Sequence, residues 1–352
     1  LDDHRAMTRV GVLRCAAAAV LFGATVPVAS RVAGEMSAPV LAGLLYVGAA
    51  LAAGPLARNR PLARGALARS ARPLAVAVVA GGFLGPLLLA AGLARTTAAT
   101  ASLLLNFELV ATAVLAALFF GEHLGRRVVT GTLLVTAAGV ALGWAGTPEV
   151  RLGSVLVLFA CLCWALDNCV TAKLDQIAPE HITLAKGVVA GSANLALGFA
   201  LGGDLPSAAH TGLALAAGAF GYGLSITLWV AGARDLGAAR GQLVFSTAPF
   251  IGVLLAWIAL GDPVRGVEIV ALVLAGLGVL LVLGSTHDHP HLHQRVDHDH
   301  DHTHDQHHQH HQHHPSARRH SHRHVHEPFV HAHPHVPDLH HRHPHPGPVE
   351  DR

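Results

Sequence analysis

A chain of 352 residues that is 52% hydrophobic yet only 13% charged and 5% aromatic falls outside soluble globular composition, in which about a quarter of residues carry charge. Its long uncharged apolar runs mark an integral membrane protein. Of its 29 His, 25 lie between His287 and His345, so the net charge of +2 joins a body with 18 Lys and Arg against 13 Asp and Glu to a tail with 6 against 9.

The arginines of the body stand singly between apolar runs instead of forming a stripe, which excludes nucleic acid as a partner. Lys173 follows Ala172 and Lys186 follows Ala185, so neither lysine belongs to a phosphate-binding loop. HExxH is absent, and Gly202-Gly203-Asp204 lacks the partner aspartate of an intramembrane protease. The chain is therefore not expected to be an enzyme or to require a cofactor. Cys15, Cys161, Cys163 and Cys169 all fall in apolar segments without zinc-type or secreted-framework spacing, and read as small buried residues.

A helix needs about 20 apolar residues to cross about 30 Å of hydrocarbon. Runs of that length fall near residues 12–31, 38–57, 74–94, 98–120, 128–146, 153–172, 182–202, 211–231, 240–260 and 267–284, predicting ten transmembrane helices. Arg5, Arg9 and Arg14 before the first run, with Val28-Ala29-Ser30 near its end, also fit a cleavable signal peptide. With the N-terminus inside, inner segments such as Arg58 to Arg72, Arg126-Arg127 and Lys173 to Lys186 collect 14 Lys and Arg, against Arg31, Arg95, Arg151 and Arg265 outside. Cytoplasmic loops are enriched in these residues. That places both termini in the cytoplasm of a multi-pass protein of the cell inner (plasma) membrane.

Sliding the sequence by 140 residues lays Phe120-Gly121-Glu122 on Leu260-Gly261-Asp262, Ala98-Ala99 on Ala238-Ala239, and Leu133-Leu134 on Val273-Leu274. The halves are residues 1–148 and 149–286, followed by the tail, 287–352. Five helices per half is an odd number, so the second half enters the membrane from the other side, an inverted repeat of the kind that places a substrate site near the midplane. This repeat requires the first helix, which argues against the signal peptide. Glycine pairs four residues apart (Gly81/Gly85, Gly139/Gly143, Gly187/Gly191, Gly198/Gly202) allow close helix approach, although an Ala- and Gly-rich chain also produces such pairs by accident. Pro27, Pro86 and Pro249 lie inside spans, as hinges or plain kinks.

Charged groups are costly in hydrocarbon, about 2.5–3.5 kcal/mol on insertion scales, so the few present are the candidates for the substrate or coupling-ion site. Glu108 lies midway along the fourth span beside Asn106, and Asp167 and Asn168 lie in the inner third of the sixth. A protonatable carboxylate at the midplane suits proton coupling; locking two helices together is the competing role. Asn194 and Gln242 suit a hydrogen bond to substrate or to another helix. Lys186 reads as an anchor reaching cytoplasmic water. Glu122 and Asp262 close their spans and are expected to cap, or to pair with Arg126 and Arg265.

The early pairs Phe22-Gly23 and Trp164-Ala165, the run Phe107-Glu108-Leu109 followed by Phe120-Gly121-Glu122, and Ser246-Thr247-Ala248-Pro249-Phe250 with Leu260-Gly261-Asp262 together resemble the EamA-type branch of the drug/metabolite transporter superfamily. The likeness covers about residues 12–284. Leu109 stands where the family usually has proline, Asp262 where it has glutamate, and Phe22 where it has tryptophan. Trp164-Ala165-Leu166-Asp167-Asn168, Lys186-Gly187 and the tail resemble a His-tailed subgroup. The resemblance implies export or exchange of small organic solutes such as amino acids, metabolites or drugs, with the lipid bilayer and a small-molecule substrate as partners and a homodimer as an allowed state.

In the tail, His298, His300, His302 and His304, then His307, His308, His310 and His311, then His322, His324 and His326 set imidazoles closely enough to gather around Zn, Ni, Co or Cu. With no apolar run able to build a core, this segment is expected to be disordered. Regulation by metal, sensing of pH through imidazole titration and a solubilising extension all fit. The readings that follow are a gradient-driven transporter of small organic solutes working by alternating access, a divalent metal-ion transporter, or a non-transporting metal-sensing membrane protein.

Overall fold

In the computed structural model the apolar part of the chain is all helical. The structure describes the backbone of residues 2–60, 62, 65–120, 126–145, 147–171, 174, 177–236, 241, 244–283, 287–293, 296–302, 320–326 and 329–335. Among these, eight helices are long and apolar enough to cross a membrane: α1 (Arg9–Val32), α2 (Ala38–Arg58), α3 (Ala71–Leu93), α4 (Ala98–Phe119), α5 (Arg126–Trp144), α6 (Pro148–Thr171), α7 (Pro179–Ala200) and α8 (Ala208–Gly232). Two further apolar helices, α9 (Ala248–Leu260) and α10 (Gly266–Val282), are shorter.

Packing couples the two halves of the chain. The α5–α10 and α2–α7 contacts join a helix of the first half to one of the second, while α1 packs on α8 and α9, and α6 on α3 and α4. Small residues make the α2–α7 seam: a Cβ on Gly187 would meet the Tyr46 carbonyl oxygen at 2.5 Å, and one on Gly191 the Val47 nitrogen at 3.0 Å. Gly81 and Gly85 are equally constrained by α6. Gly139 and Gly143, by contrast, have nothing within about 3.7 Å, and Gly202 nothing within 4 Å. Spacing alone did not distinguish these cases, because only the facing helix decides whether a Cβ fits.

Several spans are irregular where the sequence suggests one continuous helix. α3 contains a π-helical stretch, Ala77–Leu84, just before Pro86, and α8 contains one at Ala219–Leu224. α4 is broken into Ala98–Leu104 and Phe107–Phe120, and the turn between them is held by Asn106 Nδ2 donating to the Leu103 carbonyl at 3.0 Å. The turn at residues 246–247 precedes α9 in the same way. Pro249 therefore occupies the first turn of a new helix, where its missing N–H costs nothing, instead of kinking a continuous one.

Beyond α10 the chain, expected to be disordered, has paired backbone: His287–His293 runs antiparallel to Phe329–His335, and Val296–His302 to His320–His326.

Candidate functional site

Several of the polar side chains that the apolar runs carry meet in the middle of the bundle. Asp167 on α6 is buried, and its carboxylate accepts Lys186 Nζ at 2.7 Å on Oδ1 and 2.5 Å on Oδ2. Thr171 Oγ1, one turn further on, donates to the same Oδ1 at 2.9 Å. Lys186 opens the π-helical turn Lys186–Ala190 of α7, a feature that recurs at functional sites. The two side chains are only 13% and 9% exposed, so each charge is compensated chiefly by the other.

Gly81, midway along α3, makes room for the Asp167 carboxylate, which any Cβ there would strike. The Gly81 carbonyl oxygen accepts the Tyr46 hydroxyl at 2.6 Å and Trp164 Nε1 at 3.1 Å. One step along α6, Asn168 Nδ2 donates to Glu108 Oε1 at 2.9 Å and reaches Thr112 Oγ1 at 3.4 Å. Glu108 stands in the first turn of the second segment of the broken α4. There the positive end of the helix dipole favours a carboxylate. An aromatic cluster adjoins these groups: Tyr222 lies against Phe22, Tyr46 and Trp164, with ring centroids 5.8, 5.4 and 6.4 Å apart.

Of the sequence candidates, Glu108, Asp167 and Asn168 are thus brought together. Asn106 is committed to the break in α4. Asn194, fully buried, donates to the Phe83 carbonyl at 3.2 Å and ties α7 to α3, its Oδ1 having no partner among the described residues. Gln242 and Glu122 lie outside the described residues. Lys186 corrects the expectation of an anchor reaching water: it turns inward to Asp167. The signal was charge balance, since an acid in one apolar run and a base at similar depth in the next are each unaffordable alone.

The EamA-like transporter family model matches residues 9–143 and again 151–284. The chain belongs to the EamA-like transporter family. It is 31% identical over 192 residues to an uncharacterized transporter of Methanothermobacter thermautotrophicus, a match that takes in 51% of this chain and 55% of that protein, so the chain spans about half the length of the curated relative. A solved crystal structure, described simply as that of a protein, shares the fold with a TM-score of 0.55 and 20% identity, over 79% of this chain and 98% of its own. Family and apolar helices together make this a multi-pass membrane protein.

A second charged cluster of this EamA-like bundle lies where α4 begins. Glu268, fully buried in the first turn of α10, accepts Thr100 Oγ1 at 3.0 Å and Arg265 Nη2 at 2.7 Å on Oε1, and Trp257 Nε1 at 3.3 Å on Oε2. Arg265 Nη2 also donates to Thr100 Oγ1 at 2.8 Å. Asp262 does not pair with Arg265. Its Oδ2 accepts the Ala99 backbone N–H at 3.1 Å, capping α4 from across the bundle. Glu268 escaped sequence reading because it sits at the edge of an otherwise uniform apolar run.

Among the described residues, no group of three or more His, Cys, Asp or Glu could hold a metal ion, and none of the four cysteines is in a disulfide, with Cys163 half-buried and the others buried. Of the tail ligand candidates, His298, His300, His302, His322, His324 and His326 lie in described strands, whereas His304, His307, His308, His310 and His311 lie outside the described residues.

Proposed function

We propose that this EamA-like protein is a gradient-driven transporter of small organic solutes that works by alternating access, with Glu108 carrying the coupling proton and Asp167, Lys186 and Asn168 contacting solute. The observation that carries this reading is the polar cluster Glu108–Asn168–Asp167–Lys186 where helices of both halves meet, with Asp167 buried, Glu108 and Lys186 half-buried and Asn168 exposed. The paired helix contacts, the π-helical stretches in both α3 and α8, and the turns at residues 105–106 and 246–247 favour two related five-helix halves in an inverted arrangement. Discontinuous helices at such an interface present backbone groups to a solute. The His-rich tail is read as a cytoplasmic metal-binding segment that regulates transport.

The test reconstitutes the full-length protein and a version ending at Ser285 in liposomes and follows flux of amino acids, of Zn²⁺ and of Ni²⁺. Organic-solute flux that survives removal of the tail is expected, with metal binding lost. Metal flux abolished by Glu108→Gln, without organic flux, would turn the reading to metal transport. No flux of either kind across a broad panel would favour a membrane sensor.

A further inference from the structure

Asp167 and Lys186 form a closed pair of opposite charges, but a sparsely held one. Lys186 Nζ has the two carboxylate oxygens as its hydrogen-bond acceptors, and Asp167 has Lys186 and Thr171 as its side-chain donors. The aromatic rings of Tyr46 and Trp164 stand beside them, both donating to the Gly81 carbonyl on which the carboxylate packs. The pair belongs to α6 and α7, two helices that also carry the contacts to α3 and α2, so anything that parts these charges acts on the packing between the halves.

We propose, resting on the transporter reading above, that Asp167 and Lys186 are the specificity-determining pair for a solute that carries both an ammonium and a carboxylate and no net charge. The empty site neutralises itself by closing Lys186 onto Asp167. When such a solute enters, its ammonium takes the place of Lys186 on Asp167, and its carboxylate takes the place of Asp167 on Lys186. Both charges are compensated before and after the exchange, so neither state strands a bare ion in hydrocarbon. A simple cation would satisfy Asp167 and abandon Lys186, while a simple anion would do the reverse. Glu108, which accepts a hydrogen bond from Asn168, the residue adjoining Asp167, is placed to carry a proton separately from this swap.

The test is counterflow exchange in proteoliposomes of the full chain, using alanine, threonine, leucine and phenylalanine beside their carboxamides and N-acetyl derivatives. The parent protein should exchange at least one free amino acid about tenfold or more better than either blocked form, as expected for loss of one charge-assisted contact. The neutral pair Asp167→Asn with Lys186→Met keeps the volume without burying a lone charge. It should remain folded, as read by monodispersity and thermal unfolding in detergent, yet lose this discrimination and raise KM by about tenfold or more. A purely structural salt bridge predicts the opposite, with the neutral pair restoring parental KM. Parental KM and selectivity in the folded neutral pair, or equal exchange of free and blocked amino acids by the parent, would overturn the inference while leaving the transporter reading intact. Absence of all exchange by the folded parent would overturn both.

Discussion

At one end of the bundle Glu268 accepts hydrogen bonds from Thr100, Trp257 and Arg265 at once, whereas in the middle Asp167 holds Lys186 and Thr171. Both acids are buried among apolar helices and both have a basic partner. They differ in how fully they are satisfied. The Glu268 carboxylate is saturated by donors from α4, α9 and the start of its own helix, a fastening with little to gain from any newcomer. The Asp167 carboxylate has only Lys186 and Thr171 as side-chain donors, and on the reading proposed above a solute that offers the same two charges replaces the pair without loss. Burial of charge alone is therefore a poor guide to function, and the number and rigidity of its partners is a better one.

The largest effect should come from breaking the middle pair on one side. Lys186→Met leaves a buried carboxylate uncompensated and is expected to cost about 3–5 kcal/mol, read as a large drop in melting temperature in detergent. Most of that loss should return when Asp167→Asn is added, which no change at the Glu268 cluster would achieve. Next, Glu268→Ala strands Arg265 and several hydroxyl and indole donors and should cost about 3 kcal/mol. On the reading that this cluster only fastens helices, the surviving folded protein should keep its KM. Gly81→Ala drives a methyl into the Asp167 carboxylate and should cost about 1–3 kcal/mol, with KM and stability impaired together. Asn106→Ala removes the side-chain bond to the Leu103 carbonyl at the break in α4 and should cost about 1 kcal/mol, visible as a small shift in thermal unfolding.

Much of the bundle was legible in the chain because hydrocarbon thickness sets the length of an apolar run; among the described residues eight helices meet that length, and α9 and α10 are shorter apolar helices where two more spans were expected. Glu108, Asp167 and Asn168 stood out because polar residues are rare in such runs. Lys186 did not, since a lysine seven residues into a helix can reach water or turn inward, and the direction depends on the neighbouring helix. The break at Asn106 was also hidden: hydropathy registers the run Ala98 to Phe120 without interruption, and no proline or glycine announces the turn. The same limit applies to the glycines, where Gly187 and Gly139 look alike in sequence but only the first has a backbone pressed against it.

The most direct test of a coupled transport site in the middle of this bundle is amino-acid uptake into proteoliposomes under an imposed pH gradient, comparing the parent protein with Glu108→Gln. The parent should concentrate solute when the gradient is present and only equilibrate it when the gradient is collapsed. Glu108→Gln should exchange solute across the membrane but gain nothing from the gradient. Gradient-driven accumulation by Glu108→Gln equal to that of the parent would contradict the assignment of Glu108 as the residue that couples proton movement to transport.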